Sequence, residues 1–216
     1  MFSDIFIIMQ IQPGQFTTNI LSTLPQKEVV QRILASAIQA VEPATAIQNY
    51  VLRQDNILTV DGQNYDLSLF DNLYLIAIGK ASQAMSESLA SILGEKLSQA
   101  FVVPKQLFSS ADGRFHIIAG GHPVPNENSE LAGRMLEKAC QNFSERDLVF
   151  CLISGGGSAL VTLPYEGIHL KDLQTLTGQL LACGARIDEI NTLRRHLDRI
   201  KGGGLAKMAF PARLIS

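Results

Sequence analysis

The stretch Leu148–Leu160 reads Leu-Val-Phe-Cys-Leu-Ile-Ser-Gly-Gly-Gly-Ser-Ala-Leu. Its first six residues are apolar, which is the length and character of a β-strand that is buried on both faces. Consecutive glycines then break the run, and glycine tolerates positive φ and lets the backbone approach a ligand closely. The N–H groups of such a turn either bind a phosphate or carboxylate, helped by the flanking hydroxyls, or form a tight turn without a ligand. The candidate binding residues are Ser154, Gly155, Gly156, Gly157 and Ser158.

Segments with strand and helix patterns alternate along the rest of the chain. The predicted strands of the main sheet are 73–78, 101–103, 115–119, 148–153 and one that starts at 213. The main predicted helices are 26–41, 80–92, 126–142, 170–183 and 188–200. This alternation predicts an α/β fold, with a parallel sheet and helices on both faces. Residues 1–24 show no clear period, so we expect them to be peripheral to a domain that spans 25–216.

Three polar turns directly follow predicted strands. They contain Gly79-Lys80, Gly121-His122 and Ser154–Ser158. Ligands of parallel sheets bind outside the carboxyl ends of the strands, and these ends lie along one edge. The sequence therefore predicts that the three turns converge on one cleft for an anion.

The charged residues near these turns each allow two interpretations. A lysine at a helix start, such as Lys80, is unfavourable by about 0.3–1 kcal/mol unless a bound anion reverses the sign; otherwise it is a solvated lysine. His122 either contacts substrate or transfers a proton, or it braces its loop. Of Arg194 and Arg195, we expect one to be surface charge. Lys201 precedes a second glycine turn, and it lies beside Gly202 and Gly203.

Composition excludes several classes of protein. The net charge of −2 gives no sign of a nucleic-acid or membrane partner, and no apolar run approaches the roughly 18 residues of a membrane span. Without a secretion signal, we expect a cytoplasmic protein. The cysteines fit neither a disulfide framework nor zinc-ligand spacing, and no cluster of metal ligands is evident. Neither Gly-x-x-x-x-Gly-Lys-Ser/Thr nor Gly-x-Gly-x-x-Gly is present, which argues against a P-loop NTPase and a standard dinucleotide site.

Four motifs carry a resemblance to a known family. In chain order they are Ile78-Gly79-Lys80-Ala81, Gly121–Pro125, Ser154–Leu160 and Asn191–Gly203. Together they resemble the N-terminal domain of the glycerate 2-kinases, the MOFRL-type glycerate kinase family, some members of which are labelled hydroxypyruvate reductase. The resemblance covers about 27–216.

The resemblance implies a Rossmann-like N-terminal domain, a smaller C-terminal domain and an active site between them. It also implies ATP-dependent phosphorylation of D-glycerate to 2-phosphoglycerate with Mg²⁺. Lys80 would then hold the glycerate carboxylate or the transferring phosphoryl group, and Asn191 and Arg194 would fix the substrate. Lys201 would add positive charge, while the two glycine turns and His122 would bind substrate or phosphate.

Two residues depart from the family pattern: Asp198 stands where serine is usual, and Gly204 where a larger residue is usual. We also expect the chain to lack the family's second domain and the aspartate segment that would hold Mg²⁺. Two alternatives stay open. One is a non-catalytic chain that binds glycerate or phosphate, and the other is a hydroxypyruvate reductase, which the missing dinucleotide motif disfavours.

Overall fold

The structure, a computed structural model, describes residues 11–216. The strands are β1 (Val51–Gln54), β2 (Ile57–Val60), β3 (Gln63–Asp66), β4 (Asn72–Ile78), β5 (Leu97–Val103), β6 (Phe115–Ile117), β7 (Asp147–Ile153) and β8 (Arg213–Ile215). The α-helices are α1 (Asn19–Ser22), α2 (Lys27–Ala40), α3 (Pro43–Tyr50), α4 (Ser82–Leu93), α5 (Glu127–Cys140), α6 (Gly157–Leu160), α7 (Leu170–Ala182), α8 (Ile187–Leu197) and α9 (Gly204–Ala209). Short 3₁₀ helices cover Pro13–Phe16, Leu67–Leu69 and Gly94–Lys96.

The predicted α/β fold with a parallel sheet is confirmed. The main sheet has the strand order β6-β5-β4-β7-β8, and all its pairs are parallel. A separate antiparallel sheet contains β1, β2 and β3. None of the helices within 11–216 has both the length and the apolar character that crossing a bilayer requires.

Two hydrophobic clusters cover opposite faces of the main sheet. Along β4, Ile76 belongs to one cluster with α5 and α9, and Leu75 belongs to the other with α3 and α4. This alternation is the period of two that a strand imposes on its side chains, and both faces of β4 and β7 are buried. Cys151 lies in the first cluster, and burial raises the pKa of its thiol to about 11.

The helix α2 is confirmed, but its apolar stripe is not the face that packs. Ile33 and Val41 are 61% and 73% exposed, while Gln31 and Ala35 are buried. The Nε2 group of Gln31 donates to Thr17 Oγ1 (2.7 Å), so a polar contact ties the helix to the segment before it. The boundary between a peripheral segment and a domain at residue 25 stays a prediction, and residues 1–10 lie outside the described part of the chain.

Three details of the predicted helices are wrong. Lys80 precedes α4, which begins at Ser82. The apolar repeat on α5 predicts that Leu131 faces the core, but Leu131 is exposed and Leu136 is buried. The side of α5 that packs includes Gly133, which lies against the segment after α6. On α8, Ile187 and Leu193 are exposed, although they fit the apolar repeat.

Gly133 gives a test of this helix packing. A Cβ at Gly133 would overlap the carbonyl oxygen of Thr162, so neither backbone can give way cheaply. We expect Gly133→Ala to lower the free energy of unfolding by about 3 kcal/mol. Gly178→Ala on α7 is the matched control, because a Cβ there meets nothing within 4 Å and alanine favours a helix by about 1 kcal/mol. Urea unfolding measures both, and equal stabilities would contradict the packing.

Candidate active site

The turns after β4, β6 and β7 meet at the carboxyl edge of the sheet, as the sequence predicted. A Cβ built on Gly156 would lie 3.2 Å from His122 Nε2 and 3.3 Å from Lys80 Cε. The side chains of Lys80 and His122 therefore both lie beside Gly156, and residues from three separate turns share one small area.

The turns after β4 and β7 are interlocked by backbone and hydroxyl hydrogen bonds. The N–H of Lys80 donates to the carbonyl of Gly155 (2.9 Å), and the N–H of Ser154 donates to the carbonyl of Ile78 (2.9 Å). The N–H of Ala81 donates to Ser154 Oγ (3.0 Å). Gly79 has φ +126° at this crossing, and a Cβ there would overlap the Ser154 side chain. Position 79 therefore requires glycine on two grounds.

This interlock changes the interpretation of Lys80. The N–H groups of Lys80, Ala81 and Ser82 all have acceptors within the protein, so the start of α4 does not offer them to a ligand. The expected pairing of Lys80 with the helix N-terminus around a bound anion stays a prediction, and Lys80 lies two residues before the first residue of α4. Lys80 is exposed, and its contact with the Gly156 turn is what places it at the edge. Ser154 holds the two turns together, and its role as a ligand donor stays a prediction.

The glycine turn itself supplies unengaged donors. Within the described chain, none of the N–H groups from Gly155 to Ser158 donates to a backbone carbonyl. Gly156 has φ +91°, which is the left-handed region that glycine tolerates best. Successive N–H groups in such a turn form a concave site for an anion.

Arg194 faces this turn from α8. Its guanidinium is half-buried and lies 3.5 Å from Ser158 Oγ and 3.4 Å from Thr177 Oγ1. Among residues 11–216 no carboxylate comes within ion-pair distance of it. Burial lowers its pKa, and Asp198 partly offsets this. Arg195 is exposed, so Arg194 is the member of the pair that turns toward the loop.

Ser158 lines three cavities, of which two are wide enough for a small ligand. The smaller of these two, about 370 Å³, is lined by His122, Gly156, Asn191 and Arg194 among others. The larger, about 730 Å³, shares Gly156 and Asn191 with it and extends to the second glycine turn. Gly202 and Gly203, which have φ +60° and +91°, line that groove together with Lys201.

Lys201 is engaged inside the protein. Its ammonium forms an ion pair with Asp198 and donates to the carbonyl of Val161 (2.9 Å). Its side chain is 13% exposed. The prediction that Lys201 adds positive charge for a ligand therefore stays a prediction, and its charge is neutralised in this structure.

Sequence reasoning missed Lys105. Burial lowers the pKa of His122, and the positive charges of Lys80, Lys105 and Arg194 lower it further. Lys105 lies two residues beyond the end of β5, at the same sheet edge as the other turns. The rule that located those turns would also have found it. The sequence gives no indication that Thr177 contacts Arg194, because a threonine on a helix belongs to no recognisable motif.

The electrostatics of the site suit an anion. Lysine, arginine and histidine side chains surround the free N–H groups, and arginine and amide donors bind phosphate and carboxylate oxygens well. Within residues 11–216 no three histidine, cysteine, aspartate or glutamate side chains come together as a metal site.

Fold and site together define an α/β domain with a candidate anion site at the carboxyl edge of its sheet. We call this site the cradle; it consists of the N–H groups of Gly155–Ser158 with Lys80, His122 and Arg194 beside them. The chain belongs to the family described as domain of unknown function (DUF4147), whose model matches residues 29–216.

The resemblance inferred from the four motifs is confirmed by similar proteins. A glycerate 2-kinase of Pyrococcus horikoshii is 40% identical over 84% of this chain, and a D-glycerate 2-kinase of Thermotoga maritima is 35% identical over 88%. A crystal structure of a Pyrococcus horikoshii protein matches 88% of this chain and 43% of its own, with a TM-score of 0.78 and 38% identity. The chain spans about two fifths of these curated relatives, 40% of the first and 42% of the second.

His122 gives a pH test of the cradle. Its pKa lies below the ordinary value because of burial and three nearby cations. A bound anion favours the imidazolium and raises that pKa, so binding takes up a proton. Affinity for sulfate, which does not titrate in this range, should therefore rise as the pH falls from about 7 to 5.

Calorimetric titration of sulfate into the wild type and His122→Asn would measure this slope. We expect the variant to lose it, and the exposed His116→Asn to keep it. An unchanged slope in His122→Asn would place the proton uptake on another group.

Proposed function

We propose that the chain is the substrate- and phosphate-binding part of a glycerate 2-kinase, which phosphorylates D-glycerate to 2-phosphoglycerate with ATP. One observation carries the proposal: the free N–H groups of Gly155–Ser158 lie among Lys80, His122 and Arg194. The names of the similar proteins support the choice of glycerate.

Phosphoryl transfer depends mainly on positioning and on stabilising charge. In our proposal the loop amides and Lys80 bind the oxygens of the transferring phosphoryl group. Arg194 grips the substrate carboxylate in the smaller cavity, where Asn191 orients it. Arginine suits this role, since its planar guanidinium forms two parallel hydrogen bonds with a carboxylate.

In our proposal His122 accepts the proton of the reacting hydroxyl. Its depressed pKa keeps the imidazole neutral near physiological pH, and a neutral ring nitrogen accepts a proton. The hydroxyl oxygen at C2 would then bond to the phosphorus as its proton passes to His122. The bond from phosphorus to the ADP oxygen breaks in the same displacement.

ATP supplies the phosphoryl group when it is bound. The two glycine turns are suited to its phosphates, since Gly156–Ser158, Gly202 and Gly203 line the larger groove. The expectation of Mg²⁺ comes from the family. Among residues 11–216 no three potential metal-ligating side chains come together, and no step here depends on the metal.

Lys80 provides the direct test. ATP consumption by the chain is measured with Mg²⁺ and D-glycerate, and enolase coupling identifies 2-phosphoglycerate as the product. We expect Lys80→Met to lower kcat by about 100-fold or more, because it removes charge stabilisation at the transferring group. Lys138→Met is the matched control, since Lys138 is exposed in the last turn of α5. Equal rates for the two variants would contradict the role of Lys80.

The same preparation separates the alternatives. Calorimetric binding of D-glycerate without ATP turnover would favour a binding chain. NADH oxidation on addition of hydroxypyruvate would favour the reductase. Glycerate-dependent ATP consumption that Lys80→Met abolishes would support the kinase.

A further inference from the structure

A buried carboxylate lies directly behind the glycine turn, and the proposed mechanism does not use it. Asp198 follows α8 and is 2% exposed. Burying a carboxylate is costly unless it is paired and hydrogen-bonded, so its partners indicate why it is there.

The oxygens of Asp198 are fully engaged. Oδ1 accepts from the N–H of Ile200 (2.9 Å), and Oδ2 accepts from Thr162 Oγ1 (2.5 Å) and from the Lys201 ammonium. Lys201 also donates to the carbonyl of Val161. These contacts join Val161 and Thr162, which follow the first glycine turn, to Lys201, which precedes the second glycine turn.

Arg194 lies on the other side of the same carboxylate. Arg194, Asp198 and Lys201 line one small enclosed space together with Ser158 and Thr177. The carboxylate forms its ion pair with Lys201, and the hydrogen bonds of Arg194 to residues 11–216 go to the hydroxyls of Ser158 and Thr177. Two cations and one acid leave a single excess positive charge behind Ser158.

We propose that Asp198 determines which anions the site prefers: by neutralising Lys201 it limits the charge behind the loop to Arg194. This inference rests on the proposed function. One uncompensated guanidinium matches the single charge of the glycerate carboxylate. Burial lowers the pKa of Lys201 and Asp198 raises it, so without Asp198 the ammonium persists only below that lowered pKa. In that state Lys201 would add a second cation behind the loop, and an anion with two charges would gain about twice as much attraction from it as one with a single charge.

The test is the ratio of two dissociation constants. Calorimetry of the 216-residue chain above neutral pH gives affinities for D-glycerate and for inorganic phosphate, which then carries close to two charges. We expect Asp198→Asn to shift the ratio about tenfold toward phosphate, as one added charge near the loop implies. If Asp198 only maintains the structure, its substitution would weaken the binding of both ligands equally and leave the ratio unchanged.

Three further variants make the result specific. Asp198→Asn combined with Lys201→Met removes both charges and should restore the wild-type ratio. Lys201→Met alone should shift the ratio toward glycerate, and it keeps the test valid if Asp198→Asn does not fold. Thr162→Val removes a hydrogen bond to Asp198 without changing charge, so the ratio should stay at the wild-type value.

The outcomes are distinguishable. If the wild type binds neither ligand, the proposed function fails, and this inference fails with it. If the wild type binds both and the ratio does not respond to Asp198→Asn or Lys201→Met, the role of Asp198 is overturned while the proposed function stands. A double variant that keeps the shifted ratio would also overturn it.

Discussion

The site depends on the crossing of the turns after β4 and β7, where Gly79 passes the Ser154 side chain with no room for a Cβ. Hydrogen bonds from Lys80 and Ala81 to the opposite turn close this crossing. Both strands are buried on both faces and paired along their full length, so they hold the two turns rigidly in place. Among the described residues, the N–H groups of Gly155–Ser158 take no part in the crossing, so they are available to a ligand.

The sequence predicted this arrangement where local chemistry and sheet geometry agree. Apolar runs long enough to be buried on both faces identify β4 and β7, and parallel pairing puts their polar ends on one edge. The contact of Lys80, His122 and Gly156 follows from that rule without any knowledge of the side-chain positions. The same rule applied to the end of β5 would have included Lys105.

The remaining features depend on tertiary neighbours that a periodic pattern does not encode. The apolar repeat on α5 fits Leu131, yet the helix rotates so that Gly133 meets the segment after α6. In the sequence, Lys201 is a cation beside a glycine turn. In the structure it forms an ion pair with Asp198, three positions earlier. In both cases one close contact in three dimensions outweighs a plausible local pattern.

The grouping of Lys80, Lys105 and Arg194 around one turn also has a kinetic meaning. The chain as a whole carries a net charge of −2, so this group is a positive spot on a mildly acidic molecule. The field of these cations draws small anions toward the cradle, while the net negative charge of the remaining residues repels them. Capture of an anionic substrate should then be fastest in dilute buffer and slow as salt shortens the reach of the field, which is about 10 Å at 0.1 M ionic strength.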